Sequence, residues 1–274
     1  ADLLEESVNN GLSREQFGQR LLATFPLDAY KDAGEIGVAL DHFDQLRQLH
    51  ANGINGIWAR IIKNAFAPLF VGRFDFVAGN PPWVNWESLP EDYRRETLPL
   101  WHGYGMVPAG GLGSILGKSK MDISMLMTYT AIDKYLHPKG RLGFVITQSV
   151  FKTSGAGRGF RRFRLGDEGT HLRVLHVDDM SEIKPFEGAA NRTAVVIVQK
   201  GQPTRYPLPY ILWRKTARGQ GLRDDDMLDE VLAKSVQIRF IAEPIDTYDL
   251  MSSWLSGKPK AVKAARKILG ASDY

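Results

Sequence analysis

The run Phe74-Asp75-Phe76-Val77-Ala78-Gly79-Asn80-Pro81-Pro82-Trp83 constrains this chain more than any other. Its first six residues are strand-like, and the two prolines that follow lack N–H donors and hold φ fixed, so a sheet ladder has to stop there. A loop therefore opens at the carboxyl end of a strand. Beyond it come an amphipathic helical pattern over residues 122–136, a turn at Pro138 and Gly140, and a strand over 141–147. That order is strand, crossover helix, strand. A basic loop-helix over 154–164 leads to strands over 172–177 and 193–199. The pattern predicts an open α/β sheet with largely parallel strands, in which ligands lie beyond the strands' carboxyl ends.

The flanks read differently. In residues 1–68, Ser13 and Gln16 make a capping box with Leu12 and Phe17 as its hydrophobic staple, Pro26 ends that helix, and helical patterns follow over 35–49 and 56–67 up to Pro68. Residues 201–274 begin with a Pro-rich extended stretch and continue as helices over 223–234 and 259–269. The chain thus divides into 1–68, 69–200 and 201–274. With 274 residues, 43% hydrophobic and 24% charged, it has ordinary globular usage, and 35 Lys+Arg against 31 Asp+Glu (35 − 31 = +4) permits a nucleic-acid partner without requiring one. The absence of cysteine excludes disulfides, thiolate nucleophiles and Cys-ligated zinc, and the six His form no HExxH pattern, so no metal is expected. No apolar run approaches the roughly 18 residues of a membrane span, and no signal peptide opens the chain. We expect a cytosolic protein without a membrane partner. The start at Ala1 and the stop at Tyr274, after a lysine-rich helical stretch, lead us to expect a fragment of a longer polypeptide.

An Asn-Pro-Pro run is in the simplest case a rigid turn. Here the same peptide supplies an acceptor, rigidity and a stacking face. The Asn80 amide oxygen and a proline carbonyl can each accept a hydrogen bond from one exocyclic –NH2 group, while Trp83 stacks on the ring that carries it. Such a site suits a planar, amine-bearing base.

The run FDFVAGNPPWVNWE resembles the catalytic motif of adenine-N6 DNA methyltransferases of the large restriction-modification type, that is, the type IIG, Eco57I-like enzymes with an NPPW motif. The similarity continues through KMDISMLMTYTAIDKYLHPKGRLGFVITQSVFKTSGAGRGFRRF and the stretch from Lys184 to Gln199, covering residues 54–215. The resemblance implies the C-terminal half of a Rossmann-like class I methyltransferase sheet. Residues 1–68 would be a helical insertion, 69–200 the catalytic region and 201–274 a connector toward a target-recognition region. It implies transfer of a methyl group from S-adenosyl-L-methionine to the N6 amino group of adenine in double-stranded DNA, with the base flipped out of the duplex. Asn80, Pro81, Pro82 and Trp83 would be catalytic, and Phe186 would pack on the other face of the base or serve as ordinary core. Lys120 and Asp122 match a segment that reaches the cofactor, although Asp122 equally suits a helix cap. A rival reading within the same chemistry is a protein-glutamine methyltransferase; a rival of another class is a non-catalytic DNA-binding or assembly piece.

The departures from the family pattern carry weight. No glycine-rich cofactor loop and no following acid precede Asn80, so the resemblance implies a partner in the rest of the methyltransferase polypeptide, its cofactor half and its target-recognition region. The stretch 110–119 falls short of a phosphate loop because Leu112 stands where glycine is needed. A second glycine-rich stretch, Gly155 to Gly159 with Asp178 further on, leaves a permuted cofactor site open, but Arg158, Arg161, Arg162 and Arg164 would crowd a cationic ligand there. Those four arginines suit a DNA backbone, with a solvated helix face as the alternative. Trp86 and Trp101 are either cleft lining or core, and His171 and His176 are expected to be structural.

Overall fold

The computed structural model describes residues 2–25, 33–53, 61, 64, 65, 67, 68, 71–107, 121–155, 157–186, 191–216, 222, 223 and 225–271. The chain forms two compact units, Ala1–Gly72 and Arg73–Tyr274.

The first unit is helical, with α1 (Asp2–Asn9), α2 (Arg14–Thr24) and α3 (Ala33–Ala51). The capping box forms as expected: the Gln16 amide donates to Ser13 Oγ at 3.2 Å, and Gln16 Oε1 accepts from the Ser13 amide at 2.8 Å. Phe17 and Phe43 stack at 4.3 Å between ring centroids, in a small core with Val8, Leu21 and Leu46. Most of the helix expected over 56–67 lies outside the described residues.

The second unit is a seven-stranded sheet in the order β1-β2-β4-β3-β5-β6-β7. Its strands are β1 (Phe74–Gly79), β2 (Leu136–Thr147), β3 (Leu172–Asp179), β4 (Thr193–Lys200), β5 (Leu208–Lys215), β6 (Ser235–Pro244) and β7 (Trp254–Gly257). Between β1 and β2 run a 3-10 turn at Trp86–Ser88, α4 (Glu91–Gly103) and α5 (Ile123–Tyr135). The short helices α6 (Ser149–Lys152) and α7 (Gly157–Phe160) lead to β3, α8 (Leu228–Lys234) precedes β6, and α9 (Pro259–Ala271) follows β7. The fold is mixed α/β, consistent with a Rossmann-like sheet.

Two expectations change. The sheet is mixed rather than largely parallel: β1 with β2 and β3 with β5 are parallel, whereas β4 runs antiparallel to both β2 and β3, and β6 antiparallel to β5 and β7. An apolar run such as TAVVIVQK reports burial on both faces and says nothing of direction. The residues after 201 also contribute three strands that continue the sheet instead of an extended stretch followed by helices alone.

The core forms where α5 packs on β2 and its neighbours. Trp101, Tyr129, Ile132, Leu142, Ile146 and Val196 are buried there, each large side chain contributing about 1.5–3 kcal/mol relative to exposure. Lys200 spends its ammonium on the carbonyls of Ile132 at 2.9 Å, Asp133 at 3.0 Å and Leu136 at 3.2 Å, closing the carboxyl end of α5. Among the described residues no helix is long and apolar enough to cross a membrane.

Candidate active site

The ladder between β1 and β2 stops after Gly79 meets Phe144, and the Asn-Pro-Pro-Trp loop leaves the sheet at the carboxyl ends of both strands. Asn80 is exposed, Pro81 is buried and Trp83 is half-buried. The Trp83 indole N–H donates to the Val145 carbonyl at 3.1 Å, pinning the ring to the end of β2. The next residues are zipped to the start of α5: the Ile123 amide donates to the Val84 carbonyl at 2.9 Å, and the Trp86 amide donates to the Met121 carbonyl at 2.7 Å. Asp122 sits in that zipper, bridged to Asn85, and its carboxylate caps α5 by accepting from the Ser124 amide at 2.8 Å. Burial pushes the Asp122 carboxyl above the usual range, with the Ser124 amide opposing.

Phe186, far along the chain, reaches Trp83. Their ring centroids lie 5.0 Å apart with planes at 74°, an edge-to-face contact. The structure thus brings Asn80, Pro81, Pro82, Trp83, Asp122 and Phe186 together at one end of the sheet. A base stacked between Trp83 and Phe186 requires the two rings to part and turn, because at 5.0 Å the edge of one lies against the face of the other. Lys120 lies outside the described residues. Trp86 and Trp101 are core, 7% and 0% exposed, with the Arg94 guanidinium over the Trp86 ring.

Beside Asn80 runs a cleft of about 600 Å³ between β1, α4 and α5, lined by Pro81, Tyr93, Leu100, Met127 and Thr130 among others. None of its described lining residues is charged at neutral pH. The described lining of this cleft therefore offers no carboxylate to the ribose hydroxyls of a nucleoside-bearing cofactor, and the Asp122 carboxylate is 7% exposed and turned to an amide.

The arginine cluster divides. Arg161 is 1% exposed and donates to three backbone carbonyls, those of Met251 at 3.0 Å, Thr153 at 2.8 Å and Val150. Burial lowers its pKa to about 10. Its guanidinium fastens α6 and the loop before β7, which corrects its expected place on DNA phosphates. Arg158 pairs with Asp249, Arg162 with Asp167, and Arg164 donates to the Gly169 carbonyl at 3.1 Å. The glycines of the same stretch serve packing. A Cβ at Gly159 would lie 2.4 Å from the Met106 carbonyl oxygen, and one at Gly157 would lie 2.2 Å from that of Val150. That use of the glycines weighs against the permuted cofactor loop.

A buried polar network escapes sequence reasoning. Asp179, at the end of β3 and 4% exposed, accepts from the Tyr210 hydroxyl at 2.5 Å, the Gln148 amide at 3.1 Å and the Ser181 backbone at 2.9 Å. It holds the start of the segment that carries Phe186. Lys152, beside it, donates to Ser256 Oγ and lies over the Tyr210 ring. Two consecutive aspartates closing an apolar strand were the available signal. His176, on the same strand, meets Asp178 at 3.0 Å, and that bond raises its pKa.

Residues 41–179 match the family model of the Eco57I restriction-modification methylases. No curated protein matches the chain significantly. Similar solved structures include the type I restriction enzyme EcoKI M protein, 17% identical over 73% of this chain and 48% of that one, with a TM-score of 0.36. A type I restriction-modification methyltransferase subunit from Streptococcus thermophilus is 18% identical over 58% of this chain and 30% of that one, with a TM-score of 0.34. The type IIL restriction-modification enzyme MmeI, solved in complex with DNA, is 14% identical over 60% and 18%, with a TM-score of 0.33. The chain thus spans less than half the length of each of these proteins. The family model covers half of this chain, including the Asn-Pro-Pro-Trp loop and the strands on both sides of it, and the chain belongs to the Eco57I restriction-modification methylase family.

Proposed function

We propose that this chain carries the target-base side of an adenine-N6 DNA methyltransferase, acting on double-stranded DNA with S-adenosyl-L-methionine as methyl donor. The observation that carries the reading is the loop at the end of β1. Asn80 stands exposed there, next to Trp83, whose indole is fixed to the Val145 carbonyl, in a chain of this family. The Asn80 amide oxygen and the Pro81 carbonyl accept the two hydrogens of the N6 amine. Holding both hydrogens draws electron density onto nitrogen and aims its lone pair, so no strong base is needed and positioning supplies much of the rate. Trp83 and Phe186 part to receive the flipped base and stack on its two faces, which offsets part of the unstacking cost of a few kcal/mol. Arg158, Arg162 and Arg164 are only partly exposed and are held by Asp249, Asp167 and the Gly169 carbonyl, so a role for them on the DNA backbone requires exchange of those partners.

The methyl donor supplies an electrophilic sulfonium carbon, and we assign its binding to a companion segment. Strand β1 is a sheet edge with Phe76 74% exposed, and an apolar edge strand is an incomplete ladder. The cofactor half of the methyltransferase would pair there, and a target-recognition region would complete the enzyme.

Two measurements test the reading. Calorimetric titration of the chain with S-adenosyl-L-methionine, with and without duplex DNA, is expected to give no binding to the chain alone. Labelled methyl transfer by the chain with its companion segment is expected on duplex adenine and to disappear in Asn80→Ala without loss of fold. Transfer to a release-factor glutamine instead would overturn the substrate assignment, and activity retained by Asn80→Ala would overturn the site. A complex that binds DNA but transfers no methyl group would favour the non-catalytic reading.

A further inference from the structure

The four arginines that the sequence directs toward DNA are all engaged within the chain, one of them by three carbonyls. A cluster of cations without such partners among the described residues lies elsewhere, on α9. Residues 258–271 carry Lys258, Lys260, Lys263, Arg266 and Lys267 and no acidic residue. Val262 is buried against the end of β7, and Arg266 turns inward to Glu243 at 2.7 Å, which fixes the face that docks. Lys260, Lys263 and Lys267 are exposed and make no ion pair or hydrogen bond among the described residues. At 3.6 residues per turn the three fall within about 60° of one another around the helix, in a stripe roughly 10 Å long. One strand of duplex DNA carries about three phosphates over that length.

We infer that α9 is a phosphate-backbone contact of this protein, with the Lys260, Lys263 and Lys267 stripe laid along one strand of duplex DNA. The inference rests on the DNA substrate proposed above and adds a binding surface remote in sequence from the Asn-Pro-Pro-Trp loop. Charge complementarity selects the partner. The stripe is uniformly cationic, and among the described residues of α9 Ile268, 71% exposed, is the one large apolar side chain away from the docking side, since Leu269 projects on the side of Val262; that is too little to seat the helix in a lipid surface. Lys152 ties β7, the strand that leads into α9, to α6 through Ser256, so the helix is anchored to the segment that follows the site's own strand.

The test is fluorescence anisotropy of the full chain on a mixed-sequence duplex between about 50 and 200 mM KCl. Each phosphate contact contributes about 0.9 to the slope of log K against log salt. The K260Q/K263Q/K267Q variant is therefore expected to lose about 2.7 from that slope, so that wild type loses roughly 40-fold more affinity than the variant across the range. The K260R/K263R/K267R variant is expected to keep the slope, and both variants are expected to keep the wild-type melting temperature. A slope within about 0.5 of wild type in the glutamine variant overturns the inference while leaving the methyltransferase reading intact. So does lysine-dependent binding to phosphatidylserine-containing vesicles without a change in the DNA slope. Absence of any DNA binding by the wild-type chain also overturns it, and labelled methyl transfer then decides the methyltransferase reading separately.

Discussion

Arg161→Met is the sharpest perturbation of this fold. It keeps the volume of the side chain and removes a buried guanidinium that serves the carbonyls of Val150, Thr153 and Met251. A hydrogen bond to a charged donor contributes about 1.5–3 kcal/mol, so three give a gross effect of about 4.5–9 kcal/mol. Against this stands the cost of keeping the charge out of water, visible in the pKa lowered to about 10 by burial. The net loss is expected near 3–5 kcal/mol, the range typical when one partner of a buried charged interaction is removed. Urea unfolding read by tryptophan fluorescence suits the measurement, because Trp254 stacks on Phe151 at 4.6 Å close to the fastened loop. The salt slope of DNA binding by the folded variant is expected to match wild type. A loss under about 1 kcal/mol together with a slope lower by about 0.9 would mean that Arg161 works on a phosphate, and the structural role argued above would be wrong.

Other expectations follow from neighbouring contacts. Gly159→Ala places a Cβ 2.4 Å from the Met106 carbonyl oxygen and 2.6 Å from its Cα, so overpacking against backbone should cost about 1–3 kcal/mol in urea unfolding. An unchanged midpoint would sink that contact. Trp83→Phe removes the bond to the Val145 carbonyl but keeps a ring against Phe186, for a loss of about 0.5–1.5 kcal/mol in the same assay. The hydrogen bond that His176 donates to the Asp178 carboxylate raises the imidazole pKa in the fold, so its contribution is fully present below the ordinary value of about 6.5 and lost as pH rises through the folded pKa. His176→Gln should therefore shift the urea midpoint more at about pH 5.5 than at about pH 8.5, and equal shifts would exclude a charged imidazole from the interaction.

Much of the site was legible because its signals are local. Two prolines end β1 wherever they occur, Asp122 stands one residue ahead of an apolar helical pattern, and the Ser13 and Gln16 spacing forms a capping box without help from distant residues. The direction of β4 was hidden because an apolar run on both faces reads the same parallel or antiparallel. Strands β5 and β6 were hidden by Pro209, Arg214, Arg239 and Glu243, which sit among their apolar residues and make them look like surface segments. The fate of Arg161 was invisible for a different reason. Four arginines within seven residues look alike in sequence, and only the carbonyl of Met251, ninety residues away, singles one out.

The position of β4 between β2 and β3 sets a timetable for synthesis. Within the family-matched residues 41–179, no ladder joins β3 to the β1–β2 pair, since β3 bonds to β4 and β5. When Thr147 has emerged, the outer edge of β2 must wait until Lys200 has been made before its partner is complete. At roughly 5–20 residues per second that is a delay of roughly 3–10 s. During it the nascent chain presents bare edges on both sides of the strand pair that carries the Asn-Pro-Pro-Trp loop. A truncation after Asp179 would make that interval permanent.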